Sequence, residues 1–234
     1  MKHRPLKIVL FVLLIGSIGC RAPESSEIAE DSENGSEADS ASDLTDGGVD
    51  AGAPLDPCAP HMDPALGLLP ENSPHKGGEA SVDVVVNVFS NLRCSHCARL
   101  AEIIDILWQR PEWNSRVRLY FRHMPLSFEV HAATVAAFNQ GEDDFWALHD
   151  EIFYRLRENG DYMTVPDILD YAETVLNLDM TRFEEDMASE ETTNLIEEDR
   201  AVGEALGVTV TPSVFICDER IETADLEDAV MSYL

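Results

Sequence analysis

The sequence predicts an α/β domain: strand, helix, strand, then a long helical block, then two strands and a helix. Three observations predict it. Residues 82–90 carry Val82, Val84, Val85, Val86, Val88 and Phe89, a near-continuous apolar run that suits a central strand covered on both faces. Residues 127–206 read as successive amphipathic helices, with apolar positions three and four apart. Residues 208–217 return to an extended pattern around Thr211-Pro212.

The elements follow in order. The first strand, residues 82–90, runs into Arg93-Cys94-Ser95-His96-Cys97-Ala98-Arg99 and then a helix to about Gln109, stopped near Pro111. A strand, a short loop and a helix therefore meet at two cysteines three positions apart. That places Cys94 at a helix N-terminus and Cys97 one turn further in, where unsatisfied N–H groups and the helix dipole favour a thiolate. Residues 116–123 give a second strand, ending before Met124-Pro125. Strand, helix and strand at this spacing predict a right-handed βαβ unit.

The helical block opens with residues 131–139, where Ala132, Val135, Ala136 and Phe138 are apolar. Residues 144–159 follow, with Phe145, Trp146, Leu148, Ile152, Phe153 and Leu156 marking the buried face. Thr164-Val165-Pro166-Asp167 predicts a capping box with proline in the first turn, opening a helix to about Leu176. Thr181-Arg182-Phe183-Glu184 predicts another opening of the same kind, and residues 190–206 a helix ended by Gly207. After the extended stretch, Asp218-Glu219 predicts a turn, Arg220-Ile221 a return strand and residues 224–232 a closing helix. There is no internal repeat and no phosphate-cradling glycine motif.

The N-terminal third has a different composition. Residues 1–19 have a basic start (Lys2, His3, Arg4, Lys7) and an apolar run from Ile8 to Ile15, a secretory signal too short to span a membrane as an ordinary helix. The run ends Ser17-Ile18-Gly19-Cys20, which resembles a bacterial lipoprotein signal. That resemblance implies diacylation at Cys20, and two acyl chains anchor stably where one does not; the alternative is a plain cleaved signal. Residues 20–56 are rich in Glu, Asp, Ser, Ala and Gly, predicting a disordered acidic tether. Residues 57–80 form a proline-rich lead-in, with a turn at Gly77-Gly78. The globular domain is expected over residues 81–234, with its helical insert at about 127–206.

The formal net charge of −29 argues against nucleic-acid binding, which needs basic surface. Five cysteines in an exported chain allow disulfide chemistry. Lipidation of Cys20 leaves Cys58, Cys94, Cys97 and Cys217. Cys58 and Cys217 would form a staple between lead-in and domain; the alternative is that Cys217 is simply buried.

Four segments together resemble the DsbA-like thioredoxin family of exported thiol–disulfide oxidoreductases, from about Pro74 to the C-terminus. They are Phe89-Ser90-Asn91-Leu92-Arg93-Cys94-Ser95-His96-Cys97; Arg122-His123-Met124-Pro125-Leu126 with His131, Ala132 and Ala136; Phe145-Trp146-Ala147-Leu148-His149-Asp150-Glu151-Ile152-Phe153; and Gly207-Val208-Thr209-Val210-Thr211-Pro212-Ser213-Val214-Phe215. The resemblance implies a thioredoxin fold (βαβ…ββα) interrupted by an all-helical subdomain. It implies Cys94 as nucleophile, Cys97 as resolving partner and His96 as an aid to the Cys94 thiolate. Thr211 and a cis Pro212 would face the dithiol and bind an extended substrate chain. The sequence departs from the family in Val88, where an acid is common, and in Ser95, where proline is common.

The implied function is exchange of disulfides with cysteine-containing exported proteins, in the oxidising direction, on the extracytoplasmic side of a bacterial membrane and with a separate redox partner. No cofactor is called for. The competing reading is a copper or zinc carrier using Cys94, Cys97 and one of His96, His123 or His131, although tetrahedral zinc wants two further ligands.

Overall fold

The computed structural model describes residues 70, 72–77 and 83–234. The expected signal and tether and most of the proline-rich lead-in, with Cys20 and Cys58, lie outside the described residues. The elements run β1 (His75–Lys76), β2 (Val84–Ser90), α1 (Ser95–Trp108), α2 (Pro111–Arg116), β3 (Val117–His123), α3 (Phe128–Phe138), α4 (Glu142–Asn159), α5 (Val165–Thr174), α6 (Met180–Met187), α7 (Glu190–Ala205), β4 (Ser213–Ile216), β5 (Glu219–Ile221), one 3₁₀ turn (Thr223–Asp225) and α8 (Leu226–Met231).

The five strands form one sheet in the order β1-β3-β2-β4-β5. β2 is central, parallel to β3 with Val86 opposite Leu119, and antiparallel to β4 with Val88 opposite Val214. All seven residues of β2 are buried, as its valine run predicts. Alternate side chains divide between two faces. Val88 and Ser90 border the same small cavity as Cys97 of α1. Phe89 packs with Phe215 and Val208, against Val202 and Leu206 at the end of α7. The fold is thus an α/β thioredoxin fold whose βαβ and ββα halves are separated by the helices α3 to α7.

Several boundaries differ from the sequence reading, each for a local reason. α2 was not expected; Pro111 starts that short helix as well as ending the region of α1, because proline suits the first helical turn. β1 was not expected either, and the lead-in joins the sheet: it pairs antiparallel with β3, and Pro74 C=O accepts from Phe121 N–H at 2.9 Å. Two residues are too short a run to show a period. Gly77 closes that strand at φ 72°, and a Cβ there would lie 2.5 Å from the Trp108 ring and 2.6 Å from Val117 C=O.

α3 begins three residues earlier than expected, behind Ser127, and α4 two residues earlier, behind Gly141. The Thr164–Asp167 capping box is present, with both of its reciprocal hydrogen bonds. The second predicted box is not. Asp179 caps α6, its carboxylate accepting from Thr181 and Arg182 N–H, so Thr181 lies inside the helix. An Asp side chain two residues upstream outcompetes the Thr hydroxyl as acceptor. Only Ser213–Ile216 of the expected extended stretch is strand, and the tight turn falls at Cys217-Asp218, not Asp218-Glu219, with Cys217 at φ 57°.

Candidate active site

The loop between β2 and α1 is shaped by Asn91. Its side-chain oxygen accepts from Arg93 N–H at 2.9 Å and its carbonyl accepts from Cys94 N–H at 3.0 Å. Asparagine favours such turns because its short side chain mimics a backbone acceptor. The turn delivers Cys94 as the N-cap of α1, in extended conformation. Cys97 follows one turn later, 2% exposed. Both thiols are free.

The two sulfurs have opposite environments. Partial burial works against a Cys94 thiolate. The backbone N–H and thiol of Cys97, the Thr211 side chain and the His96 backbone N–H outweigh it, and hold the Cys94 thiol below its ordinary 9.0. Burial pushes the Cys97 thiol up to about 12, reinforced by the charge of Cys94 and only partly offset by Asn91 N–H and the Ser90 side chain. The sequence predicts the first effect from the helix terminus. The second needs tertiary burial.

Thr211 meets the dithiol from the far end of the chain: Cys94 Sγ donates to Thr211 C=O at 3.4 Å. The Thr211–Pro212 peptide is cis. Ser213 Oγ donates to Val210 C=O at 2.8 Å, bracing the loop. Thr211, Cys94 and Cys97 are therefore brought together as expected. His96 is exposed, and it reaches Cys94 through its backbone N–H. Val88 borders the cavity beside Cys97. Cys217 is 1% exposed and disulfide-bonded; its expected partner Cys58 lies outside the described residues.

His123 and His131, the alternative metal ligands of the sequence reading, belong to a polar layer beneath the loop. Leu92 N–H donates to His131 Nε2 at 3.3 Å, and His131 Nδ1 lies 2.8 Å from His123 Nδ1. An accepting Nε2 assigns the His131 proton to Nδ1, which then donates to His123. Burial, followed by the charges of neighbouring histidines, lowers both imidazoles, His131 to about 3, and keeps them neutral. Next to them Arg122 and Asp199 form an ion pair at 2.6 Å, each side chain 2% exposed, and Asp199 also accepts from His123 N–H at 2.7 Å. The signal for this pair was an arginine inside an apolar strand and an aspartate on the inner face of α7. Nothing local links the two.

Among the described residues, no group of three or more His, Cys, Asp or Glu side chains is placed to hold a metal ion. His131 has both ring nitrogens engaged, and His123 is held through Nδ1. Among the described residues, no helix is long and apolar enough to cross a membrane.

A family model described as thioredoxin matches residues 71–234. The chain belongs to the thioredoxin family. Among solved structures it resembles a thioredoxin-like oxidoreductase from Silicibacter pomeroyi, at 24% identity and TM-score 0.61 over 73% of this chain and 97% of that one. It also resembles the thiol-disulfide exchange protein alpha-DsbA2 from Wolbachia pipientis, at 19% identity and TM-score 0.61 over 70% and 89%. BdbD from Bacillus subtilis is similar at 17% identity and TM-score 0.59 over 70% and 91%. These likenesses, at 17 to 24% identity, are likenesses of fold, and this chain carries its two unequal thiols at the head of α1 of that fold. Two curated relatives are Na(+)/H(+) antiporter NhaA 3 of Salinispora tropica, 30% identical over 153 residues, and NhaA 1 of Salinispora arenicola, 27% identical over 184 residues. The matches cover 62% and 76% of this chain, but the chain spans only 22% and 24% of those proteins.

Proposed function

We propose that this protein exchanges disulfides with cysteine-containing exported proteins through Cys94 and Cys97, and that it works as an oxidant. The observation that carries the reading is the inequality of the two thiols. Cys94 is half-buried, hydrogen-bonded and held below its ordinary value; Cys97 is buried and pushed up to about 12. In the oxidised protein, a substrate thiolate attacks Cys94 and displaces Cys97. A second substrate thiolate then attacks the substrate sulfur of the mixed disulfide and releases Cys94 as a favoured thiolate. Stabilising the reduced form in this way makes the disulfide a better oxidant.

Thr211, whose carbonyl lies against the sulfur that is attacked, and the cis Pro212 after it serve as the docking edge for an extended substrate chain. A lipid anchor at Cys20 and the acidic residues 20–56 would hold the domain on the extracytoplasmic face of a bacterial membrane, where disulfides persist. An unidentified redox partner would reoxidise the pair.

The test is the reduction potential of the Cys94–Cys97 pair, with Cys94→Ser as control. A potential near about −120 mV supports the oxidising direction, and one near about −270 mV overturns it in favour of reduction. Cys94→Ser should abolish both thiol oxidation and insulin reduction. Retained activity overturns the assignment of Cys94 as nucleophile.

A further inference from the structure

When the Cys94–Cys97 disulfide is reformed, Cys97 must attack a mixed disulfide at Cys94 as a thiolate, yet Cys97 is buried and its thiol is held protonated. Its proton needs a destination inside the domain. A cavity of about 20 Å³ lies against Cys97. A water needs roughly 10–15 Å³, so the space accommodates one. Its polar lining is Lys76, Ser90, Asp105 and His149, while Val88 presents only an alkyl surface.

These groups are not equivalent. Lys76 Nζ lies 3.1 Å from Asp105 and 3.9 Å from Asp150, so Asp105 is already engaged by a cation. An ammonium has no lone pair to accept a proton, and a serine hydroxyl is a very weak base. His149, on α4, is 5% exposed, with Nδ1 2.7 Å from the Asp150 carboxylate. Donation from Nδ1–H to Asp150 leaves the Nε2 lone pair available in the neutral imidazole. The rings of Phe121, Phe145, Trp146 and Phe153 pack around it and fix its orientation. An imidazole oriented by a carboxylate, on the same cavity as a thiol, is the kind of group that activates a sulfur nucleophile.

We propose that His149 is the proton acceptor for Cys97, reached through one water in this cavity, and that Asp150 positions it. This rests on disulfide exchange at Cys94. The Cys97 S–H proton passes through the water to His149 Nε2. The Cys97 thiolate attacks Cys94 Sγ, the Cys94–Cys97 bond forms and the Cys94–substrate bond breaks. The substrate sulfur leaves with the electron pair of that bond, and the imidazolium passes its proton to solvent or to the departing thiolate. The dithiol loses two electrons and the substrate disulfide gains them. In the reverse direction the same route returns a proton to Cys97. The titratable and charged groups around His149 are Asp150 on α4, Lys76 on β1, Asp105 on α1, His123 on β3 and His131 on α3.

The experiment follows reduced, full-length protein mixed with oxidised glutathione, with acid quenching and mass detection of the Cys94–glutathione adduct. In His149→Gln, adduct formation should stay within about twofold of wild type. Its resolution by Cys97 should slow by roughly 100-fold near neutral pH and lose its pH dependence, the scale of general acid–base assistance. An unchanged resolution rate and pH profile in folded His149→Gln overturns the proposal. So does the same loss in Asp105→Asn with His149→Gln unaffected. If His149→Gln does not fold, ¹⁵N-histidine spectra of wild type decide: the His149 Nε2 resonance should differ between dithiol and disulfide forms, and identical resonances overturn the proposal. A wild type that neither forms the adduct nor releases reduced glutathione overturns the exchange reading itself, a result distinct from the others.

Discussion

β2 and β3 pack against each other and α1 almost wholly through apolar side chains, whereas α3 and α7 also reach the sheet through polar pairs. Val84, Val86, Leu119, Phe121, Leu100 and Ile104 belong to one buried cluster. The insert instead places His131 under Leu92 N–H and Asp199 on Arg122 and His123 N–H. Hydrophobic burial is non-directional, so an apolar face tolerates small slides. A buried hydrogen bond is directional and costly to leave unmade. The contrast teaches that the apolar half supplies the platform, while the polar layer fixes where the insert sits relative to the dithiol loop.

Four variants break or sharpen this contrast. The largest effect is expected at Asp199. Asp199→Ala leaves Arg122 buried without its carboxylate and should cost about 3–5 kcal/mol in denaturant unfolding. Replacing both partners, Arg122→Met with Asp199→Leu, removes the uncompensated charge but leaves His123 N–H without its acceptor, so the loss should shrink to about 1–3 kcal/mol. Equal losses in the single and double variants would remove the distinction between the halves.

A smaller effect is expected at His131. His131→Leu strands Leu92 N–H and one His123 nitrogen, about 1–3 kcal/mol by the same measurement. It should also loosen the loop that presents Cys94. In wild type, the Cys94 thiol lies below 9.0, so its thiolate persists above that lowered midpoint and is lost as pH falls through it. Alkylation of reduced Cys94 should therefore rise with pH through a midpoint below 9.0, with Cys97 unreactive over the same range. His131→Leu should move the Cys94 midpoint towards 9.0; an unmoved midpoint would confine His131 to packing.

The smallest effect is expected at Trp146, whose Nε1–H donates to His75 C=O at 2.9 Å. Trp146→Phe keeps most of the apolar contact and loses that bond. About 0.5–1.5 kcal/mol should appear as a lowered Tm. A larger loss would mean that β1 depends on the insert more than on its pairing with β3.

Much of this was legible in advance where the determinants are local. The valine run of β2, the capping box at Thr164 and the dithiol at the head of α1 each follow from residues within one or two turns of each other. The misplaced features failed for equally local reasons. At α6 an aspartate cap competed with a threonine one, and at α2 one proline served two elements. Thr211 was matched to Cys94 by resemblance, not by spacing, since 117 residues separate them.

By itself the sequence determined the dithiol, its place at a helix start, the central strand and the helical character of the insert, because periodicity and capping act over a few residues. Only the tertiary structure decided how unequal the two thiols are, because burial of Cys97 depends on how α1 packs against the sheet and α4. It alone paired Arg122 with Asp199 and Leu92 with His131, and it alone set His149 on the cavity behind Cys97. Those contacts join residues 39 to 77 positions apart, and chain topology, not local propensity, brings such residues together.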